Sequence, residues 1–425
     1  MVRFLHVADV HLGYDRYDNK QRSQDFFYAF YDALEKFAVR EAVDFVIIAG
    51  DLFEHRMIQP AILNQAQRCL RLLEDANIPV IAIEGNHDNR PYGTKTNWLR
   101  YLAELGQLIL LEPEQTDDGA AFYQPWSESS RRGGYLDLDC GVRVFGSAWY
   151  GATAPVAIQK IATAIADLPP NPVPHILLFH HGLEGQIARY AGALRYADLL
   201  PLRDAGVHYL ALGHIHKNYS VDNWVFNPGS IEANSIEEST YQRGVYLVDL
   251  ADDGIQAELK RDYYQRPIIR LALELAGTES VEDIEQQAIA FIEDAIQAGR
   301  IQPEDAPIIE LRLSGQFGFD RLDLDIRALQ QQLQERSGAL ILLLKNDADA
   351  LVYQSPITDD ATRLEIERDI YRDLVEAHHH YRKRASEITN GLMGLKDFQL
   401  EGRPETELHE FVSTLLNPSE SPESS

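Results

Sequence analysis

The sequence predicts an α/β protein: a large unit of alternating strands and helices, a smaller α/β module, and a helical end. Three observations predict it. Over residues 1–250, apolar runs of buried-strand length alternate with stretches of helical apolar spacing. From about 265 the alternation restarts on a smaller scale, and beyond 358 only helical spacing remains. A chain of 425 residues suits two or three domains. Its 45% hydrophobic content is enough for a sizeable core.

The elements follow in order. "RFLHVA" is a strand, and residues 20–41 carry helical spacing at Phe26, Phe30, Ala33, Leu34 and Phe37. "DFVIIAG" is a buried strand, 60–76 a helix, "IPVIAI" a strand, 94–105 a helix and "LILL" a strand. Further strands are expected at "VRVFGSA", "HILLFH", "VHYLALG" and "GVYLVDL". Buried strands separated by helices imply a sheet covered on both faces. In the smaller module, "PIIRLALEL", "PIIELRLSG" and "ALILLL" read as strands, with helices over 278–299 and 321–336. Thr358 can cap a helix over 359–388 whose apolar stripe is Leu364, Ile366, Ile370, Leu374 and Tyr381. A short helix is expected at 404–416, and "NPSESPESS" is a disordered composition. The expected domains are 1–262, 263–350, 351–416 and a tail over 417–425.

Composition narrows the setting. Two cysteines, Cys69 and Cys140, make no disulfide framework and fit a reducing compartment. "MVRFLHVADVHLG" lacks the long apolar run of a signal peptide. No apolar run approaches the ~20 residues of a membrane span, so a cytoplasmic protein with no membrane partner is expected. The net charge of -27 weighs mildly against a nucleic-acid partner. It says little about a local groove, and bound cations would reverse its sign there.

Five segments share one design, an apolar strand that ends in metal-ligand types. They are "HVADVHLG" (Asp9, His11), "IIAGDLF" (Asp51), "AIEGNHD" (Asn86, His87, Asp88), "ILLFHHG" (His180, His181) and "LALGHIH" (His214, His216). Gly50, Gly85 and Gly213 each precede the polar residue, where glycine permits positive φ and close backbone approach. Open α/β sheets place their sites at the carboxyl ends of strands, so five segments can serve one crevice. Carboxylate, amide and imidazole without thiolate suit manganese, iron(II) or zinc. Asp9, His11, Asp51, Asn86, His180, His214 and His216 are too many ligands for one ion and right for two sharing a carboxylate. Ions ~3.5–4 Å apart are the usual device for in-line attack on phosphorus. Any one segment alone reads as an ordinary capped turn; five in succession do not.

This order of D-x-H, GD, GNHD, H and GHxH resembles the calcineurin-like metallophosphoesterase superfamily. "FLHVADVHLGYDRYDNKQR", "DFVIIAGDLFEHRMIQP", "IPVIAIEGNHDN", "LPLRDAGVHYLALGHIHK" and "FNPGSIE" resemble one branch of it. That branch is the DNA double-strand-break repair nucleases, with bacterial SbcD and the meiotic-recombination-eleven nuclease. The likeness is dense over 1–250 and reduces to layout over 265–425. It implies a four-layer metallophosphoesterase β-sandwich flanked by helices, a small α/β capping domain and a C-terminal helical segment. It also implies two divalent ions, taken as manganese, and exonuclease or endonuclease action on duplex ends and single strands. The implied partners are an SMC-like ATPase of the SbcC type and a second copy of the chain.

Carried over by motif, metal one takes Asp9, His11, Asp51 and His216; metal two takes Asp51, Asn86, His180 and His214. His87 takes the place of the catalytic histidine, stabilising pentacoordinate phosphorus or protonating the leaving 3′ oxygen. Asp88 either orients a neighbour or caps its turn, and His181 stands beside the ligands. The family often has His-Gln where this chain has His180-His181. Some members have His directly after GDLF, where this chain has Glu54, with His55 one place later.

DNA needs cations and rings beside the crevice. The candidates are Tyr14, Arg16, Tyr17, Lys20 and Arg22 after His11, then Arg90, then Arg189 with Tyr190, Arg195 and Tyr196, and Lys217. In the resemblance, dimers form through the helices at 60–76 (Ile62, Leu63, Leu70, Leu73) and 94–105 (Trp98, Leu99, Leu102). The helical tail docks on the ATPase. The triple histidine at 378–380 points in three directions on a helix and is not expected to bind one metal. The rival readings are a phosphatase or cyclic-nucleotide phosphodiesterase on the same fold, and a non-catalytic scaffold for DNA ends.

Overall fold

The structure is a computed structural model that describes residues 1–113, 122–187, 192–251, 254–317, 319, 323–347, 349–350, 363–376, 381 and 384–416. The chain divides into two compact units, Met1–Ile269 with Pro303–Ile308, and Arg270–Gln302 with Ile309–Ser425. The first runs to Ile269 instead of 262 because the chain past 262 is tied into it. Tyr263 donates to the Ile231 carbonyl at 2.8 Å. Tyr264 N–H donates to Asp32 at 2.7 Å, and the Arg266 guanidinium pairs with Asp25 at 2.6 Å.

The strands of the first unit are β1 (Val2–Val7), β2 (Phe45–Ile48), β3 (Val80–Ala82), β4 (Ile109–Leu110), β5 (Tyr135–Leu138) and β6 (Val142–Phe145). They continue with β7 (His175–His180), β8 (Tyr209–Gly213), β9 (Tyr219–Val221), β10 (Val225–Asn227), β11 (Val245–Ala251) and β12 (Gly254–Lys260). Its helices are α1 (Lys20–Leu34), α2 (Pro60–Asp75), α3 (Trp98–Glu104), α4 (Ala154–Ala166) and α5 (Tyr196–Asp204). Two six-stranded sheets form, in the orders β12-β11-β1-β2-β3-β4 and β5-β6-β7-β8-β10-β9. The sequence implied a sheet covered on both faces, and each of these two sheets is one. Phe4, Phe45 and Ile47 from one sheet and Val144, Ile176 and Tyr209 from the other share the core between them. The alternate residues, Leu5, Val46 and Ile48, pack under α1, α2 and α3. Leu177, Phe179 and Leu210 pack with α4 and α5. Period-two alternation with both faces buried is why the strands read as unbroken apolar runs. The result is the four-layer sandwich that the resemblance implied.

Local chemistry sets several boundaries. α1 is capped by Asn19, which accepts from Gln21 N–H at 2.9 Å, and it loosens into a wider π turn over Glu35–Val39. α3 starts at Trp98, later than 94, because Asn97 caps it by accepting from Arg100 N–H at 2.7 Å. Leu70, Leu73, Leu99 and Leu102 are fully buried on the first sheet. Of the residues expected to pair two copies, only Ile62, Leu63 and Trp98 keep any exposure. α4 and α5 were not anticipated.

The second unit is built on β13 (Ile268–Ala276), β14 (Ile308–Phe317), β15 (Ile341–Asn346) and β16 (Asp349–Ala350), ordered β13-β14-β15 with β16 beside β14. Helices α6 (Val281–Gln297) and α7 (Ile326–Ser337) bury Ile284, Ile292, Leu329 and Leu333. Ser280 and Asp283 close a reciprocal capping box on α6. The single helix expected over 359–388 is two, α8 (Arg363–Glu376) and α9 (Ala385–Leu400). Arg384 leaves helical geometry at φ -117°, and Val375, Ala385 and Ile388 pack together across the break. Helix α10 (Glu405–Leu416) follows as expected. The Thr358 cap, the histidines at 378–380 and the tail 417–425 lie outside the described residues. Among the described residues no helix is long and apolar enough to cross a membrane.

Candidate metal centre

β1, β2 and β3 run parallel, as do β6, β7 and β8. All five ligand segments leave these strands at their carboxyl ends. The loops after β1 and β2 are zipped together: Asp9 N–H donates to Gly50 O at 3.2 Å, and His11 N–H to Asp51 O at 3.0 Å. Positive φ falls on Asp9 (52°), His11 (50°), Asp51 (54°) and His214 (81°). Non-glycine residues in that region are strained, and such strain concentrates at functional sites. Of the three glycines only Gly50 has positive φ, at 93°. At Gly85 a Cβ would lie 2.1 Å from Asp51 Oδ1, and at Gly213 2.5 Å from Ala49 O. Those two glycines serve close approach.

The seven candidate ligands converge in two groups. Asp9, His11 and His216 offer atoms within 4.8 Å of one another, and so do Asp51, His180 and His214. His11 Nε2 and His216 Nε2 face each other at 3.1 Å. His180 Nε2 lies 3.1 Å from Asp51 Oδ2 and 3.1 Å from Asn86 Oδ1. His214 Nδ1 lies 2.7 Å from the same Asn86 oxygen, and His214 N–H donates to Asp9 at 2.9 Å. Asp51 completes the second group by its own atoms; it is not in the first.

The charges of the cluster are balanced within it. Burial pushes the Asp51 carboxyl up, but the charge and hydrogen bond of His180 hold it well below the usual carboxylate range. Burial pushes His180 down, and Asp51 reverses this, raising it to about 9. Burial and the charge of His180 lower His214 to about 3. The set of carboxylate, amide and imidazole donors suits divalent ions, and no thiolate competes. The residues fit a pair of such ions.

His87 stands in the same crevice, about a third exposed. Its Nδ1 lies 2.7 Å from the Glu54 carbonyl, so Nδ1 carries the hydrogen and Nε2 is left for other chemistry. Its own N–H donates to Asp51 Oδ1 at 2.8 Å. Asp51, Asn86, His87, His214, His216 and Glu238 line a cavity of about 470 Å³. Asp88 accepts from Leu52, Phe53 and Gly85 N–H at 3.2, 3.1 and 3.1 Å, an arrangement that caps the turn. Burial, then the nearby Asp51 charge, raises it to about 6. His181 turns away from both groups, with its ring nitrogens on the Gly182 and Gly151 carbonyls.

Two neighbours escaped the sequence reading. Glu238 Oε1 lies 2.9 Å from His216 Nδ1 and, against burial, raises His216 to about 9. The Trp149 ring lies 5.1 Å from His214 and 5.6 Å from His180. Only the acidic run after "FNPGSIE" hinted at the first.

The expected DNA contacts divide. Tyr14 and Arg22 leave the surface set: Tyr14 is buried with its hydroxyl on Asn234 O, and Arg22 is buried against Asp25 and the Ala233 carbonyl. Arg16, Lys20 and Arg90 are exposed, and Tyr17 is half-buried beneath Arg16. Lys217 donates to Gln186 O at 3.2 Å. Arg195 pairs with Asp198 at 2.7 Å. Arg189 and Tyr190 lie outside the described residues.

Residues 2–218 match the family described as calcineurin-like phosphoesterase. The DNA double-strand break repair protein Mre11 of Archaeoglobus fulgidus is 47% identical over 331 residues, 76% of this chain and 70% of that protein. The chain belongs to the calcineurin-like phosphoesterase family, in its Mre11 group. The Mre11 protein of Haloferax volcanii is 28% identical over 323 residues, 74% of this chain and 62% of its own. That of Saccharolobus solfataricus is 29% identical over 261 residues, 60% of this chain and 61% of its own. The match to the calcineurin-like phosphoesterase family covers every ligand segment, and the chain is a metallophosphoesterase.

Proposed function

We propose that the chain is a two-metal DNA nuclease subunit that hydrolyses phosphodiester bonds during DNA end processing and double-strand-break repair. The observation that carries this is the convergence of two ligand groups beside a third-exposed His87. Asp9, His11, Asp51 and His216 would hold one ion, and Asp51, Asn86, His180 and His214 the other. Asp51 would stand between them, and manganese is the expected metal. When bound, the pair supplies Lewis-acid chemistry for in-line attack of water on phosphorus. The chain's own part is then positioning and proton transfer. With Nδ1–H fixed on the Glu54 carbonyl, His87 in its imidazolium form would donate the Nε2 proton to the leaving 3′ oxygen and be left neutral. Asn86 shares its oxygen between His180 and His214 and keeps those rings on one centre.

DNA would run past Arg16, Tyr17, Lys20, Arg90 and Lys217, as duplex ends or single strands. The name of the Archaeoglobus relative, a double-strand break repair protein, supports this substrate over a small phosphate ester. On α8, Leu364, Ile370 and Leu374 are 62%, 48% and 64% exposed, which supports docking of the helical segment on an SMC-like ATPase. A homodimer would use the remaining surface of α2 and α3 around Ile62, Leu63 and Trp98. A cytoplasmic setting is supported by a chain whose two cysteines, Cys69 and Cys140, are not paired in a disulfide.

The test offers end-labelled duplex, single-stranded DNA, cyclic nucleotides and p-nitrophenyl phosphate in manganese and in magnesium. Cleavage of DNA in preference to the small esters is expected. The reverse preference would mark a phosphatase or cyclic-nucleotide phosphodiesterase. DNA binding without cleavage of anything would mark a scaffold.

A further inference from the structure

We propose that Glu54 is a positioning residue whose carboxylate and backbone carbonyl together hold His11 and His87 in register. This rests on the two-metal reading above. Glu54 lies three residues past Asp51, and its N–H donates to Leu12 O at 3.0 Å, which locks its loop to the one bearing His11. Its carboxylate Oε2 is 2.8 Å from His11 Nδ1 and 3.7 Å from His87 Nδ1. Its carbonyl accepts from His87 Nδ1 at 2.7 Å. The rings of His11 and His87 meet edge to face, 4.9 Å apart. One residue thus touches a candidate metal ligand with its side chain and the candidate proton donor with its backbone.

Burial argues that these contacts are the reason for the carboxylate. The Glu54 side chain is only 16% exposed. Burying a carboxylate is unfavourable unless it is paired. Glu54 Oε2 and His11 Nδ1 are both buried, and among the described residues neither has a hydrogen-bond partner. Each is the other's close polar neighbour, and as it stands the contact is electrostatic. With Nδ1 facing a carboxylate, His11 is left with Nε2 for the cluster, where it meets His216 Nε2 at 3.1 Å. A carboxylate on the far nitrogen of a ligand histidine fixes the ring and raises its basicity.

His11, Glu54 and His87 also offer atoms within 4.8 Å of one another, as a cation site would. The 2.7 Å contact to the Glu54 carbonyl needs a hydrogen on His87 Nδ1, so that nitrogen has no lone pair to give. The group therefore reads as a brace for two histidines.

The experiment uses the full-length protein with Glu54→Gln and Glu54→Ala. Manganese alone is titrated by calorimetry, and hydrolysis of bis(p-nitrophenyl) phosphate is followed at saturating manganese. Loss of such an outer partner lowers metal affinity by about 10–100-fold. Glu54→Ala should weaken one of two manganese sites by that factor and leave the other unchanged. Glu54→Gln, isosteric but uncharged, should fall near the lower end. In Glu54→Ala the carbonyl that holds His87 Nδ1 remains, but His87 loses the carboxylate 3.7 Å from that nitrogen and the braced His11 ring packed against it, so kcat should drop at least ~10-fold at saturating metal with KM unchanged. Wild-type affinity at both sites in either variant overturns the proposal. Weaker metal with unchanged kcat overturns its His87 half. Should Glu54→Ala fail to fold, Glu54→Gln decides on affinity. A wild-type protein that takes up no manganese overturns the reading of the site itself, and the Glu54 role with it.

Discussion

Asp51→Asn separates the fold from the metal centre. Asp51 is buried, its Oδ2 3.1 Å from His180 Nε2 and its Oδ1 accepting from His87 N–H. The substitution keeps the shape and keeps an oxygen for His87. His180 Nδ1 already faces the Ala49 carbonyl at 2.7 Å, so the neutral ring has a lone pair on Nε2 that can accept from the new amide. The variant should therefore fold. What it loses is the negative charge at the centre of the cluster. Removing one partner of a buried charge pair costs roughly 3–5 kcal/mol. At about 1.36 kcal/mol per tenfold, that is a loss of roughly 10²–10⁴ in metal affinity. A bridging position makes both ions weaker, and hydrolysis should vanish at micromolar manganese. Metal analysis after gel filtration, with calorimetry, reads this out. Two tightly held ions in the variant would refute the bridging role, and one tight ion would confine Asp51 to the second group.

His87→Ala should keep metal content and DNA binding while losing cleavage by about 10²–10⁴-fold, the range of general acid–base catalysis; lost metal would make His87 a ligand. The pH dependence should have opposite signs with and without metal. In the metal-free protein His180 and His216 are raised from 6.5 to about 9, so the stability they contribute is full below pH 6.5 and fades towards pH 9. Ligands must shed those protons to bind an ion, so manganese affinity should climb over the same window, with protons released on binding near pH 7. Melting curves in chelator and in manganese that slope the same way would contradict this. Deleting 359–425 should leave manganese-dependent cleavage of single-stranded DNA intact and remove ATP-stimulated processing of duplex ends. A truncated protein that still co-purifies with the ATPase and responds to ATP would show that docking lies elsewhere.

The candidate site was legible because each candidate ligand follows a buried strand within a short motif, and strand ends in parallel sheets converge by topology. The two faces of each strand were legible as apolar runs. What stayed hidden depends on contacts far apart in sequence. "GYDRYDNKQR" reads as a segment that offers cations and rings to DNA, yet Tyr14 meets Asn234 and Arg22 meets Ala233 and Asp25, which buries both. Glu238 reaches His216 from 22 positions away, and the acidic run that holds it does not announce which ring it meets. Positive φ was expected on the glycines. Gly50 carries it, but Gly85 and Gly213 do not: they sit where Asp51 and Ala49 crowd the backbone, and Asp9, His11, Asp51 and His214 take positive φ themselves. The stripe over 359–388 passes through Arg384, where the backbone leaves helical geometry, and periodicity alone does not register such a break.

The central claim is a pair of ions bound by these residues. Diffraction from manganese-soaked crystals, recorded at the manganese absorption edge, tests it most directly. Two anomalous peaks about 3.5–4 Å apart are predicted. One should lie on Asp9, His11 and His216, the other on Asn86, His180 and His214, with an Asp51 oxygen reaching both. A single peak, or peaks away from these side chains, would contradict the account.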